Sequence, residues 1–296
     1  MKLNFEIKAG AVLGLFIVSI SLLSFFWTPH DSYVMDSGSR FAAPGLKNLL
    51  GTDNFGRDIF SRIMAGGRNS LLLAVCTVAG AAALGSLLGL LAGYRRGITE
   101  LIIMRIIDTI SSFPGIIFAL LFAAVMGNSQ FTLFWALLVL FTPSYTRIIR
   151  TGAIQYKDAP FIQAELTFGA GFMRITFLHI LPNLFPSLLS ASVLGLSNAI
   201  LAEAAMSYLG LGIQPPHPSW GRMLYEAQTY FFTAPWCALS PGLFIMLTVA
   251  AFHLLGEGLR RYLAEPASGK LGFGKPDFVK PGFVKPGFVK SARRDR

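Results

Sequence analysis

The sequence predicts an all-α polytopic membrane protein with six transmembrane helices. Of its 296 residues, 53% are apolar and only 14% are charged, whereas about 25% are charged in soluble domains. Charge-free stretches cover residues 9–27, 71–94 and 109–146, and a membrane-spanning helix needs about 20 such residues. The two cysteines, Cys76 and Cys237, lie in apolar runs. These observations exclude a soluble enzyme, a disordered protein and a disulfide-stapled secreted domain.

The first apolar run, residues 9–27, follows Lys2 and Lys8 and invites comparison with a secretory signal. It is longer than the usual apolar region of a secretory signal, which has about 7–15 residues. We interpret it as an uncleaved first helix whose amino end lies in the cytoplasm.

Five further apolar runs follow, separated by polar or basic breaks. They cover residues 71–94, 101–126, 131–146, 184–206 and 234–255. The second run ends at Arg95 and Arg96, and the third ends at the polar break 127–130. With the first run they predict six crossings.

The distribution of basic residues predicts the orientation of these helices, because cytoplasmic loops are enriched in Lys and Arg. With the amino end inside, 19 basic residues lie on the inner side and six on the outer side. The outer segment before residue 69 is the exception, since five of the six lie between Arg40 and Arg68. We therefore expect a multi-pass membrane protein with both ends in the cytoplasm.

The chain divides into three predicted regions. Residues 1–68 contain the first helix and an extracytoplasmic loop, and residues 69–258 contain the other five helices. The third region, 259–296, contains the repeats KPDFV, KPGFV and KPGFV. Residues 260–296 carry +7 of the formal net charge of +10. A proline every fifth residue prevents a helix, so we expect a disordered extension or an arm that contacts anionic lipid, and no nucleic-acid partner.

The loop at residues 151–182 is too apolar for a solvated linker. Asp158 and Pro160 indicate a helix start, Gly169 ends that helix, and a second short helix is predicted over 172–180, ending at Pro182. Two short helices that meet at a glycine form a projection suited to a groove on a partner protein. The alternative is a helix pair that lies on the membrane surface.

This loop resembles the EAA loop of ABC-importer permeases. The resemblance rests on FIQAELTFG at residues 161–169 and HILPN at residues 179–183. Two positions depart from the family pattern, because Gln163 replaces its glutamate and Glu165 replaces its second alanine. The resemblance assigns these residues to a loop that couples to an ATPase: Gln163, Ala164, Glu165, Gly169, His179 and Pro182.

Two more blocks resemble the dipeptide/oligopeptide/nickel branch of these permeases. They are GTDNFGRDIFSR at residues 51–62 and AEAAMSYLGLG at residues 202–212, followed by PPHPSWG at residues 215–221. The resemblance covers about residues 8–265. It implies half of the translocation pathway of an ATP-driven peptide importer in a bacterial plasma (inner) membrane. The implied partners are a homologous permease, two ATP-binding subunits, an extracytoplasmic binding protein and membrane lipid.

The sequence motifs also indicate that the energy for transport comes from another chain. No G-x-x-x-x-G-K-[ST] phosphate-binding loop occurs, so this chain is expected to bind no cofactor and to be no enzyme, with ATP and Mg²⁺ held by partner subunits. No metal site is expected either. The alternatives are import of nickel or a metal chelate by the same machinery, and an autonomous channel or secondary carrier.

Charged residues within apolar helices are candidates for the transport pathway, because their burial in a membrane is costly. Asp108 shares a helix face with Arg105 and forms either a structural pair or a pathway contact. Glu203 either faces the pathway or caps the turn that follows its helix.

Two apolar features predict packing or surface contacts. Gly85, Gly89 and Gly93 share one helix face and predict close approach of a neighbouring helix. The proline-rich outer segment 213–220, with Trp220, predicts a segment at the membrane surface or a contact with the binding protein.

Overall fold

The computed structural model describes residues 5–264 of the chain, and within that range the secondary structure is helical without a named strand. The helices are α1 (Phe5–Leu23), α2 (Ile59–Arg95), α3 (Gly97–Ser112), α4 (Gly115–Met126), α5 (Gln130–Lys157), α6 (Pro160–Thr167), α7 (Leu181–Tyr208), α8 (Trp220–Ala227) and α9 (Trp236–Ala264). A π-helical segment, Arg174–Ile180, leads directly into α7, and short 3₁₀ turns cover Ser37–Ser39 and Gln228–Tyr230. The predicted repeats at 275–289 lie outside the described residues.

Five helical segments are long and apolar enough to cross a membrane: α1, α2, α5, the π-helical segment with α7, and α9. Helices α3 and α4 qualify as a sixth crossing only when they are taken together. The prediction of an all-α membrane protein is confirmed.

The third predicted crossing, residues 101–126, is not one straight helix. It is divided into α3 and α4, whose axes differ by 93°. The break falls at Phe113 and Pro114, where Phe113 has extended backbone angles. Proline has no amide hydrogen and disfavours helical angles in the residue before it, so Pro114 explains the bend that the apolar composition concealed.

Helix α2 begins twelve residues earlier than the predicted start at residue 71 and runs through the predicted boundary between residues 68 and 69. Its first turn is capped by Asp58, whose carboxylate accepts a hydrogen bond from the Ser61 amide at 2.8 Å. The first turns of α2 carry the buried charge of Arg62. An apolar run does not reveal these turns, because Arg62 is buried against the carboxylates of Asp53 and Glu226 rather than among apolar side chains alone.

The predicted glycine face of α2 forms the central helix contact, against α5. A Cβ atom at Gly85 would lie 2.5 Å from Tyr145 Cβ, and one at Gly89 would lie 2.7 Å from the Thr146 carbonyl oxygen. One at Gly93 would lie 2.7 Å from Ala153 Cβ. Close approach at these glycines is confirmed. Helices α1 and α7 both pack against α9 and complete the bundle.

Candidate functional site

Helix α6 lies between two membrane-spanning helices and is anchored through its buried face. Pro160 occupies the first turn of the helix, where its missing amide hydrogen costs nothing. Ile162 is fully buried and packs in a cluster with Ile175, Ile180 and Leu184 from the π-helical segment and α7. The position of α6 is therefore set by the segment that leads into α7.

Large apolar side chains are exposed on α6 and at Phe168, the residue that follows it. Phe161 is 43% exposed, Leu166 is 40% exposed and Phe168 is 87% exposed. Gln163 and Ala164, two of the residues assigned to the coupling loop, are also exposed. A short helix that is anchored by one buried residue, Ile162, and exposes large apolar side chains has the form of a docking element.

Gly169 ends α6 with a backbone conformation that other residues rarely adopt, at φ +78°. Its amide donates a hydrogen bond to the Leu166 carbonyl at 3.0 Å, and the Ala170 amide donates one to the Glu165 carbonyl at 3.0 Å. A Cβ atom at Gly169 would meet nothing within 4 Å. Glycine is therefore required by the backbone angle and not by space.

Pro182 does not end the second helix of the loop, contrary to the prediction. The segment Arg174–Ile180 is π-helical, and it continues into α7 at Leu181. The Leu181 amide donates to the carbonyl of Thr176, five residues back. The wider π turn accommodates the missing amide hydrogen of Pro182, so the proline lies in the first turn of α7.

Glu165 points back into the loop rather than towards solvent. Its carboxylate lies 3.8 Å from Arg174 Nε and 3.6 Å from His179 Nε2. Gln163, at the position of the family glutamate, donates a hydrogen bond to the Lys157 carbonyl at 3.2 Å. Glu165 thus links α6 to the π-helical segment, whereas Gln163, which is exposed, is uncharged.

The opposite end of the molecule contains a buried charge cluster, formed by Asp53, Arg57, Arg62, Arg222 and Glu226. Arg57 contacts Asp53 at 2.7 Å and Glu226 at 2.9 Å. Arg62 contacts the same two carboxylates at 3.2 and 2.9 Å, and Arg222 contacts Glu226 at 3.2 Å. Arg57 and Arg62 are only 6% and 2% exposed.

The cluster accounts for two of the five basic residues between Arg40 and Arg68. Arg57 and Arg62 belong to the block at residues 51–62. Both are paired with carboxylates inside the protein, so they add no unpaired positive charge to this side of the membrane helices. Glu226 was not identified from the sequence. Its only local signal is its position four residues after Arg222, a spacing that places the two side chains on one helix face.

The loop between α1 and α2, which carries part of this cluster, has a defined shape. Thr52 and Asp58 form an isolated antiparallel bridge. Asp36 caps the Ser37–Ser39 turn, and hydrogen bonds from the Ser39 hydroxyl and the Gly38 amide lower the pKa of Asp36. The loop is thus held by its own hydrogen bonds as well as by the charge cluster.

A cleft of about 580 Å³ separates this loop from residues 215–230. Tyr33, Phe55 and Tyr225 line it together with Arg222. The sequence predicted that the segment with Trp220 lies at the membrane surface or contacts the binding protein. The Trp220 side chain is instead fully buried. Its indole nitrogen donates to the Ile63 carbonyl at 3.0 Å, because α8 packs over the start of α2.

Glu203, a candidate pathway residue, is fully buried near the end of α7. Its carboxylate accepts hydrogen bonds from Ser70 at 2.8 Å and from Ser207 at 2.7 Å. The Ser207 oxygen in turn accepts the Ile213 amide at 3.3 Å. This arrangement joins α2, α7 and the following turn, which agrees with the capping alternative.

Replacing Glu203 by glutamine should preserve the transport affinity and lower thermal stability only slightly, because the amide retains the size and an acceptor oxygen. Replacing it by leucine should lower stability by about 1–3 kcal/mol, because the buried hydroxyls of Ser70 and Ser207 lose their acceptor. Thermal unfolding and solute uptake by both variants check this. A large rise in the transport KM for Glu203→Gln, with unchanged stability, would instead identify Glu203 as a pathway residue.

Asp108, the second pathway candidate, does not form the predicted pair with Arg105 among the described residues. Its carboxylate contacts Arg147 of α5 at 3.0 Å, and both side chains are about half exposed. Arg147 also donates to the Ser111 hydroxyl at 2.9 Å. Arg147 thus bridges two residues of α3, and Asp108 connects α3 to α5.

No group of three or more histidine, cysteine or acidic side chains with metal-binding geometry occurs in residues 5–264.

Comparisons with known proteins agree with this architecture. The family described as "Binding-protein-dependent transport system inner membrane component" matches residues 85–265. The fold resembles that of the MetNI methionine ABC transporter in an inward-facing conformation. That match has a TM-score of 0.56 and 18% identity, and it covers 68% of this chain and 96% of the other.

Three relatives cover most of their own length in the alignment. The dipeptide transport system permease protein DppC of Alkalihalophilus pseudofirmus is 38% identical, over 84% of both chains. The glutathione transport system permease protein GsiD of Pectobacterium atrosepticum is 38% identical, over 85% of this chain and 84% of its own. The probable D,D-dipeptide transport system permease protein DdpC of Escherichia coli is 35% identical, over 91% and 92%. The chain therefore belongs to the family of binding-protein-dependent transport system inner membrane components, and it is a membrane permease subunit of an importer.

Proposed function

We propose that this permease forms half of the pathway of a short-peptide importer and that it docks an ATPase subunit on α6. The single observation that carries the docking proposal is the group of exposed apolar side chains on α6 and at the residue that follows it. Phe161, Leu166 and Phe168 are exposed there, although α6 has eight residues and is too short to cross a membrane. A soluble surface rarely exposes three large apolar side chains together unless a partner covers them.

Movement of the docked partner would reach the membrane helices through two connections. Ile162 packs against the π-helical segment, and Glu165 lies near Arg174 and His179 of the same segment. Because that segment continues into α7, a displacement of α6 is transmitted to a membrane-spanning helix. ATP hydrolysis and its Mg²⁺ belong to the partner in this proposal.

The proposed orientation places α6, and both ends of the chain, in the cytoplasm. The excess of basic residues on that side supports it. The charge cluster supports it as well, because it pairs Arg57 and Arg62 on the opposite side with carboxylates. The cleft beside that cluster then faces the extracytoplasmic binding protein.

Peptides are the proposed substrate class because the relatives named for dipeptides, glutathione and D,D-dipeptides align over more than four fifths of this chain. The second permease of the complex is proposed to be a homologue. Uptake of labelled dipeptide and of ⁶³Ni²⁺ in membranes that contain the complete set of subunits tests the substrate class against the nickel alternative.

Replacing Gly169 by alanine should weaken the coupling of ATP hydrolysis to transport. A non-glycine residue at positive φ costs about 1–2 kcal/mol, so the end of α6 should shift or fray. Gly169→Pro should abolish coupling, because proline cannot adopt φ +78° and removes the amide that binds the Leu166 carbonyl. Substrate-stimulated ATP hydrolysis and uptake by the reconstituted complex are the measurements.

Gly171→Ala is the matched control. A Cβ atom at Gly171 also meets nothing within 4 Å, and Gly171 is not among the glycines with positive φ. The same chemical change should therefore leave coupling intact. Uptake without any ATPase, or normal coupling in Gly169→Pro, would contradict the proposal.

A further inference from the structure

An apolar groove lies on the bundle surface between α1 and α2. Its volume is about 320 Å³, and Val18 and Leu22 of α1 face Leu72 and Val75 of α2 across it. Leu196 of α7 also lines the groove, together with Phe252 of α9. Apart from Ser21 and Arg68, the side chains that line it are apolar.

Arg68 introduces a positive charge at this groove. It is partly buried, and its guanidinium carbon lies 4.7 Å from the centre of the Phe25 ring. No carboxylate of residues 5–264 lies within salt-bridge distance of Arg68, whereas Arg57, Arg62 and Arg222 on the same side of the protein all have acidic partners. An anion from outside the chain would neutralise the Arg68 guanidinium.

The level of Arg68 matches the border between lipid tails and headgroups. The end of α1 exposes three aromatic residues in succession, with Phe25 57%, Phe26 92% and Trp27 57% exposed. Aromatic rings concentrate at the membrane–water interface. Because Arg68 stacks on Phe25, its guanidinium lies beside these exposed aromatic rings, and the groove extends from there past Leu72 and Val75 along α2.

We infer that this groove binds one anionic phospholipid. Arg68 binds the phosphate and the α1–α2 groove holds an acyl chain. Charge complementarity favours this occupant over an apolar helix of another protein, because a helix would cover the unpaired guanidinium without neutralising it. The lipid would bridge α1 and α2, and it would do so whichever side of the membrane this surface faces.

The test is native mass spectrometry of the full-length protein, with its co-purifying subunits, in detergent. The probes are 1-palmitoyl-2-oleoyl-phosphatidylglycerol and the phosphatidylcholine with the same chains. We expect preferential retention of phosphatidylglycerol, reduced about five-fold by Arg68→Ala, as for the loss of one basic residue at an anionic surface. Arg68→Lys should retain most of the preference.

Two variants make the test specific. Lys47→Ala removes an exposed basic residue from the same side of the chain and should change nothing. Val75→Phe fills the groove without altering charge and should lower retention of both lipids. Equal retention of the two lipids by the unmodified protein, an unchanged preference in Arg68→Ala, an equal loss in Lys47→Ala, or full retention in Val75→Phe would overturn the inference.

Discussion

Replacing Glu226 by alanine is expected to destabilise the protein more than any other single change in or near the buried charge cluster. The carboxylate lies within 2.9–3.2 Å of three guanidinium groups, those of Arg57, Arg62 and Arg222. Its loss leaves Asp53 as the only carboxylate beside two buried arginines. Breaking a buried ion pair costs about 3–5 kcal/mol, because the remaining charges have neither water nor a partner.

Cys237 provides a local reporter for this prediction. It is 6% exposed, and its thiol donates to the Thr52 carbonyl at 3.5 Å, next to the charge cluster. In a Cys76→Ser background it is the only remaining cysteine. Reaction with a thiol-sensitive dye during heating therefore follows unfolding beside the cluster.

Two controls define the expected order of effects. Asp108→Ala removes a half-exposed ion pair with Arg147 and should change the unfolding temperature little. Arg222→Ala removes one of the three cations and should have an intermediate effect, because Glu226 keeps two partners. A Glu226→Ala protein that unfolds at the same temperature as Asp108→Ala would show that the cluster contributes nothing to stability.

The second large effect is expected at the contact of α2 with α5. Replacing Gly85 by valine places a Cβ atom 2.5 Å from Tyr145 Cβ and 3.0 Å from the Thr142 carbonyl oxygen. Neither atom is the end of a flexible side chain, so the two helices must separate. Overpacking of a core usually costs about 1–3 kcal/mol, and we expect the upper end of that range here, since Gly89 and Gly93 lie on the same contact.

Ala83→Val is the matched control for this prediction, because Ala83 lies on α2 two residues earlier and is exposed. Both variants add bulk to the same helix, but only the first adds it between helices. The fraction of monodisperse protein after heating, measured by size-exclusion chromatography, separates them. Equal recovery of the two variants would contradict a close-packed α2–α5 contact.

The sequence was most informative where one physical effect dominated. Long apolar stretches predicted the crossings, because a membrane-spanning helix needs about 20 predominantly apolar residues. The spacing of Gly85, Gly89 and Gly93 predicted a close contact for the same reason, since only the absence of a side chain allows it. The partner helix, α5, could not be named, because nothing local to α2 identifies it.

Predictions failed where two effects compete. Pro114 bends a crossing and Pro182 does not end a helix, although both interrupt apolar runs. The difference depends on whether neighbouring turns can absorb the missing hydrogen bond, and this is a property of the packed bundle. Glu226 was missed because two of its three partners, Arg57 and Arg62, lie more than 160 residues earlier in the chain, so no window of sequence contains the cluster.

The length of α2 has a consequence for how the two faces of the membrane communicate. Its 37 residues extend about 55 Å at 1.5 Å per residue, well beyond a hydrocarbon core of about 30 Å. One rod thus carries Arg62 of the charge cluster near one end and Gly93 near the other. If a ligand bound at the cleft near Arg62 favours one tilt of α2, a partner whose binding near Gly93 favours the same tilt must raise the affinity of the cleft by the factor by which the ligand raises the partner's affinity, because such coupling is reciprocal.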